Sequence, residues 1–99
     1  MVYKIDDSRE IIFIELSSIE ETTDFFNLKN TIIEKLDESK YDVVVDLKNV
    51  NYVDSMCLGV LISIQKKVLE YGGSFVIKTL SADLKKLLQA NKVKNILEI

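Results

Sequence analysis

The sequence predicts an α/β domain: a mainly parallel mixed β-sheet with an antiparallel edge strand and covering helices. Three observations lead there. Short runs of β-type residues alternate with segments whose apolar residues recur at helical spacing. The first two β-type runs, "VYKI" and "IIFIEL", are separated only by the polar cluster "DDSRE", the pattern of an antiparallel hairpin. The segment "YDVVVDL" carries three consecutive valines without alternation, which suits a central strand covered on both faces.

Each element follows in turn. After the hairpin, "SSIEETT" offers a helix start: Ser18 with Glu21 fits a capping box, and Thr22 or Thr23 fits equally. The first helix is expected to run to about Asp37, with Phe25, Leu28, Ile32, Ile33 and Leu36 as its apolar stripe. The valine strand follows. A second helix is expected from about Met56 to Tyr71, stopped by Gly72-Gly73. "SFVIKTL" reads as a strand. Ser81 can cap a third helix, "ADLKKLLQANK", with Leu84, Leu87 and Leu88 on its apolar face, and "ILEI" supplies a last short strand. The order is β-β-α-β-α-β-α-β. No repeat, low-complexity stretch or linker interrupts it, so residues 1–99 are expected to form one domain.

Composition narrows the function. At 47% hydrophobic and 29% charged residues, the chain has enough apolar material for a packed core and is not of the disordered class. Its net charge of −3, with acids and lysines interspersed, leaves no electrostatic footprint for nucleic acid. One cysteine and no histidine exclude an internal disulfide and a Cys/His metal site, remove the usual general base, and fit a reducing compartment. No apolar run approaches the roughly 20 residues of a membrane span, and "MVYKIDDSRE" has no apolar signal core. We therefore expect a soluble cytoplasmic domain with no cofactor and no membrane partner.

The stretch "NYVDSMCLGVLISIQKK", residues 51–67, raises the functional question. Laid out at about 100° per residue, the second helix places Gly59, Ser63, Lys66, Lys67 and Glu70 toward solvent and Cys57, Leu61, Ile64 and Val68 toward the core. Leu58, Ile62 and Leu69 widen the apolar surface on one flank. Met56 projects on the polar side, either as an ordinary exposed apolar residue or as a contact for a partner, since Met adapts well to protein surfaces. Asp54-Ser55 also reads two ways. Both residues are favoured helix N-caps. Equally, a helix mouth with free amides and a positive dipole favours a phosphate, and phosphorylating Ser55 would add about −1.5 to −2 charges.

Over nearly the whole chain, and most densely from Val43 to Ile99, these residues resemble the STAS domain, shared by bacterial anti-sigma factor antagonists and sulfate transporters. The family pattern is a valine-rich strand ending in Asp-Leu, then "DSSGLGVL", a helix, Gly-Gly and a strand. Asp46-Leu47, Asp54-Ser55, Leu58-Gly59-Val60-Leu61 and Gly72-Gly73 match it. The resemblance implies a cycle. The antagonist binds an anti-sigma factor that is also a serine protein kinase, so freeing the sigma factor for transcription. Phosphorylation, here at Ser55, stops binding, and a phosphatase restores it. ATP would belong to the kinase. The expected site is Ser55 as acceptor, with Asp54, Met56, Leu58, Gly59 and Ile62 as partner-binding surface. Met56 and Cys57 depart from the family's Ser and Gly, which bears on kinase recognition. Many relatives also carry one more helix after the last strand, so some surface is expected to be left open.

Three rivals are weighed against this reading. A phospho-aspartate receiver would use Asp6-Asp7, Asp46 and Thr79 around Mg²⁺, but here a strand follows the acid pair where a receiver has a helix. A thiol enzyme would use Cys57, which lacks a base and points to the core. A non-switching STAS accessory subunit, as in lipid-transport ABC systems, would keep the fold and use Ser55 only as a cap.

Overall fold

In the structure, a computed structural model that describes residues 2–8, 11–18, 22–50, 53–93 and 95–98, the chain order is β1 (Val2–Ser8), β2 (Ile11–Ser18), α1 (Thr22–Leu36), β3 (Asp42–Asp46), α2 (Ser55–Glu70), β4 (Ser74–Thr79), α3 (Ala82–Ala90) and β5 (Ile96–Glu98). The strands lie in one sheet in the order β1-β2-β3-β4-β5. The β1–β2 pair is antiparallel and the remaining pairs are parallel. The predicted order and edge hairpin are therefore present.

Local differences have local causes. "DDSRE" was expected to separate the first two strands, yet β1 continues through Asp6, Asp7 and Ser8, with Ser8 opposite Ile11. Ladder pairing with β2 outweighs the poor β-propensity of Asp and Ser. Ser18 closes β2 and is not a helix cap. Glu21 of the expected capping box lies outside the described residues, as does the side chain of Phe25. Helix α1 stops at Leu36 because Asp37 and Glu38 take left-handed φ values of 44° and 58°. Helix α3 ends at Ala90, two residues before the expected Lys92, whose φ of 65° cannot continue a right-handed helix.

The valine strand is covered on one face, not two. Val43 and Val45 are fully buried while Val44 between them is half-buried. The same alternation holds in β2, where Ile12, Ile14 and Leu16 are buried and Phe13 and Glu15 only partly so, and in β4 around Phe75 and Ile77. The topology explains it. Sequential parallel strands joined by right-handed crossovers place their helices on the same side. The core therefore lies between one sheet face and the apolar stripes of α1, α2 and α3, with Leu28, Ile32, Leu61, Ile64, Leu84 and Leu88 at its centre. On the other face Phe13, Val44 and Val76 stand in register across three strands. The unbroken valines reflect β-propensity in a central strand.

Two features hold α2 in place. Between β3 and α2, Leu47 N–H donates to the Lys78 carbonyl at 2.8 Å and Val50 N–H to the Leu47 carbonyl at 3.0 Å. Buried Val50 and Val53 anchor this connection to the core. At the far end Gly72, with φ 85°, donates to Leu69 O at 3.1 Å, and Gly73 donates to Val68 O at 2.9 Å. That paired pattern is a Schellman ending. A side chain on Gly73 would drive its Cβ into the Tyr41 carbonyl, whereas one on Gly59 meets nothing. Gly73→Ala is therefore expected to lower stability by about 2 kcal/mol or more, since backbone cannot rotate away. Gly59→Ala, in mid-helix, should raise it by about 0.5–1 kcal/mol. Urea denaturation checks both; equal midpoints for the two variants would contradict the close approach of Gly73 to Tyr41.

Candidate functional site

The site is built at the mouth of α2. Asp54 has an extended backbone, φ −80° and ψ 176°, and its Oδ1 accepts the Cys57 N–H at 2.8 Å. Its carbonyl accepts the Leu58 N–H at 2.9 Å. Asp54 is thus the N-cap. Ser55 is the first helical residue; it is exposed, and its hydroxyl makes no hydrogen bond among the described residues. The capping role read as an alternative for Ser55 belongs to its neighbour, because only the residue before the first turn can reach back to the third amide.

Burial of Cys57, Leu61, Ile64 and Val68 against the sheet fixes the rotation of α2. Met56 then projects outward and is 42% exposed, and Gly59 is exposed beside it. Leu58, expected on the contact surface, is only 9% exposed and belongs to the core. Ile62 is half-buried against that core. The reason is angular. At about 100° per residue, Leu58 and Ile62 lie roughly 200° and 240° around the helix from Met56, on the flank away from α1.

The residues that do join Met56 come partly from α1. Phe26, Lys29, Ser55, Met56, Gly59, Val60 and Ser63 line a shallow depression of ≈ 270 Å³. Phe26 is 45% exposed. A second depression of ≈ 260 Å³ continues along the two helices, lined by Lys29, Ile33, Ser63, Lys66, Lys67 and Glu70. Lys29 and Ser63 belong to both, so the two form one groove. At its floor Gly59 contributes no side chain, and its carbonyl accepts the Ser63 hydroxyl at 2.9 Å. Sequence reasoning did not place Phe26 or Lys29 in the site. The available signal was the Phe25-Phe26 pair, of which a single helical stripe accommodates one.

The rival constellations are not assembled. Asp46 is buried, with Oδ1 accepting the Lys48 N–H at 2.9 Å and Oδ2 3.4 Å from Lys48 Nζ. Thr79 is buried and its Oγ1 accepts the Ser81 N–H at 3.1 Å. Asp6 and Asp7 lie on β1, which β2 separates from the β3 strand carrying Asp46. No cluster of three potential metal-ligating His, Cys, Asp or Glu residues occurs among the described residues. Cys57 is fully buried; that burial first, and the Asp54 carboxylate second, push its thiol well above the ordinary value of 9.0. It is therefore neutral and poorly suited to nucleophilic attack. No helix among the described residues is long and apolar enough to cross a membrane.

The described residues form a one-sided α/β sheet with an exposed serine hydroxyl at the mouth of its middle helix. The sequence profile of the STAS domain matches residues 8–99, and the chain belongs to that family. It is 38% identical over 64 residues to an anti-sigma-B factor antagonist of Bacillus subtilis, a match spanning 65% of this chain and 59% of that relative. Its fold is similar to the Bacillus cell fate determinant SpoIIAA, solved in its phosphorylated form, with TM-score 0.84, 12% identity and coverage of 99% of this chain and 91% of that one. It also matches RsbS of Moorella thermoacetica, with TM-score 0.82, 14% identity and coverage of 98% and 86%.

Two outcomes follow from the mouth of α2. Asp54→Ala should lose about 1 kcal/mol of stability, and Ser55→Ala less than about 0.5 kcal/mol. Denaturant titration compares them, and a larger loss at Ser55 would reassign the cap. The Cys57 thiol ionises above about pH 8.5 in the unfolded chain but stays protonated when folded. Ionisation therefore favours unfolding, and its contribution is complete below that pH and lost as pH rises. The stability difference between the native sequence and Cys57→Ala should shrink by about 1–2 kcal/mol between pH 7 and pH 10. A constant difference would mean that the thiol is not shielded.

Proposed function

We propose that this chain is a cytoplasmic anti-sigma factor antagonist. In this reading it binds an anti-sigma factor, itself a serine kinase, through the mouth of α2, and phosphorylation of Ser55 switches it off. The observation that carries the proposal is the division of labour at residues 54 and 55. Asp54 holds the helix start, so the exposed Ser55 hydroxyl is free for another protein's chemistry. The similarity to an anti-sigma-B factor antagonist supports the partner class. The phosphorylated form of a domain with this fold supports the kind of switch.

The mechanism is electrostatic. Met56 and Phe26 offer exposed apolar surface flanking Ser55. Burial of such surface drives association. A phosphate on Ser55 brings about −1.5 to −2 charges to the rim of that contact, beside the Asp54 carboxylate. Docking an apolar partner face there then requires desolvating a dianion, which costs more than the contact gains. Removal of the phosphate by a phosphatase restores the neutral rim. The chain is the substrate of this chemistry, and ATP is bound by the kinase. Asp54 sets the geometry, and Met56 and Gly59 form contact surface; Leu58 and Ile62 support the helix from the opposite flank.

The test pairs the chain with the serine-kinase anti-sigma candidates of its host. With ATP, mass spectrometry should find phosphate on the peptide containing Ser55. In calorimetry Ser55→Ala should bind within about twofold of the unmodified chain and remain bound when ATP is added. Ser55→Asp should bind about tenfold or more weakly, equivalent to about 1.4 kcal/mol. Equal affinity of all three proteins, with no phosphate on Ser55 from any candidate, would instead favour a permanent accessory subunit.

A further inference from the structure

We infer that the α1/α2 groove is built for an acidic, amphipathic segment of the partner, with carboxylates over Lys29 and Lys66 and an apolar side chain against Phe26 and Met56. The inference rests on the proposed function for the partner's class and adds its surface chemistry.

Charge and shape carry it together. The chain as a whole is acidic, at −3, yet the charged side chains lining one half of the groove are Lys29, Lys66 and Lys67 against Glu70 alone. Glu70 is engaged by Lys67, with Nζ 3.6 Å from its carboxylate, and Lys67 also lies 5.8 Å over the Tyr71 ring. Lys29 and Lys66 have no carboxylate partner among the described residues. Two ammonium groups without carboxylate partners, one on each of two neighbouring helices and lining the same depression, give it a positive potential that attracts anionic side chains. The other half of the same groove is apolar, with Phe26, Met56 and Val60 around the side-chain-free Gly59. One occupant that satisfies both halves has acids at one end and an apolar residue at the other, the pattern of an amphipathic helix laid in a groove. The arrangement also gives the switch a sign. Phosphate on Ser55, which lines the apolar half, would repel an acidic segment as well as obstruct its apolar contact.

The test uses three synthetic helical peptides with one common leucine face. Their flanking positions carry glutamate, glutamine or lysine. Amide chemical-shift mapping on the whole chain should show the glutamate peptide perturbing Lys29, Met56, Gly59, Ser63 and Lys66. The glutamine peptide should bind about fivefold or more weakly, and the lysine peptide should leave those amides unmoved. In Lys29→Glu/Lys66→Glu the preference should invert, by about tenfold overall if each exposed pair contributes about threefold. Raising the salt from 50 to 500 mM should weaken the glutamate peptide selectively. Equal mapping by the three peptides, shifts centred elsewhere, or no shifts at millimolar peptide would overturn the inference. An anti-sigma factor that binds the native sequence and the double variant equally would sink the inference and leave the proposed function standing. Selective glutamate-peptide binding with no anti-sigma partner would do the reverse.

Discussion

The hydrogen bond from the Cys57 N–H to the Asp54 carboxylate, 2.8 Å long, is the constraint on which the site depends. A helix leaves its first amides without internal partners, and some group must meet them. Had the Ser55 hydroxyl done so, it would be folded back over the helix end and occupied. Asp54 takes that place, and Ser55 becomes the first helical residue with its oxygen free in solvent. The same bond sets where α2 begins, so that Ser55 opens the first turn.

Burial then fixes what the outer side presents. Cys57, Leu61, Ile64 and Val68 lock α2 against the sheet. The packing of α1 beside it makes a two-helix groove from surfaces that would each be unremarkable alone. Phe26 and Met56 are ordinary exposed apolar residues singly. Together, with Gly59 between them, they line one depression. Along the same groove the apolar end gives way to lysines. A single rigid element thus places hydroxyl, apolar contact and positive charge in one line.

Much of this was legible in the sequence, and what was not had physical reasons. The element order, the inward stripe of α2 and the Gly72-Gly73 stop follow from periodicity and turn chemistry, which are local. The one-sided covering of the sheet was not legible, because three valines in a row satisfy β-propensity whether or not a second layer exists; only strand order and crossover handedness decide it. The end of α1 at Leu36 depends on left-handed Asp37 and Glu38, residues that tolerate but do not announce that conformation. At the site, Asp54, Ser55, Met56 and Gly59 could be placed from spacing within one helix. Phe26 and Lys29 could not, since their membership comes from how a second helix packs. Leu58 was misplaced because an apolar flank on a helical wheel looks the same whether a partner or the domain's own core covers it.

The two departures from the resembling motif can now be weighed separately, and they are not equivalent. Cys57 stands where a glycine is expected, and its side chain is wholly absorbed by the core with its thiol held neutral. Replacing hydrogen by a small buried group there fills space without altering the exposed surface. Met56 stands where a serine is expected and remains exposed on the rim of the groove. It exchanges a small polar side chain for a long, flexible, polarizable one immediately beside the Ser55 hydroxyl. The change therefore falls on the exposed surface rather than on the core. If the proposed docking at the mouth of α2 holds, a matched partner offers an apolar recess for a methionine next to the space for Ser55. On that proposal a partner shaped for serine would meet uncompensated bulk there, so the methionine would discriminate against it.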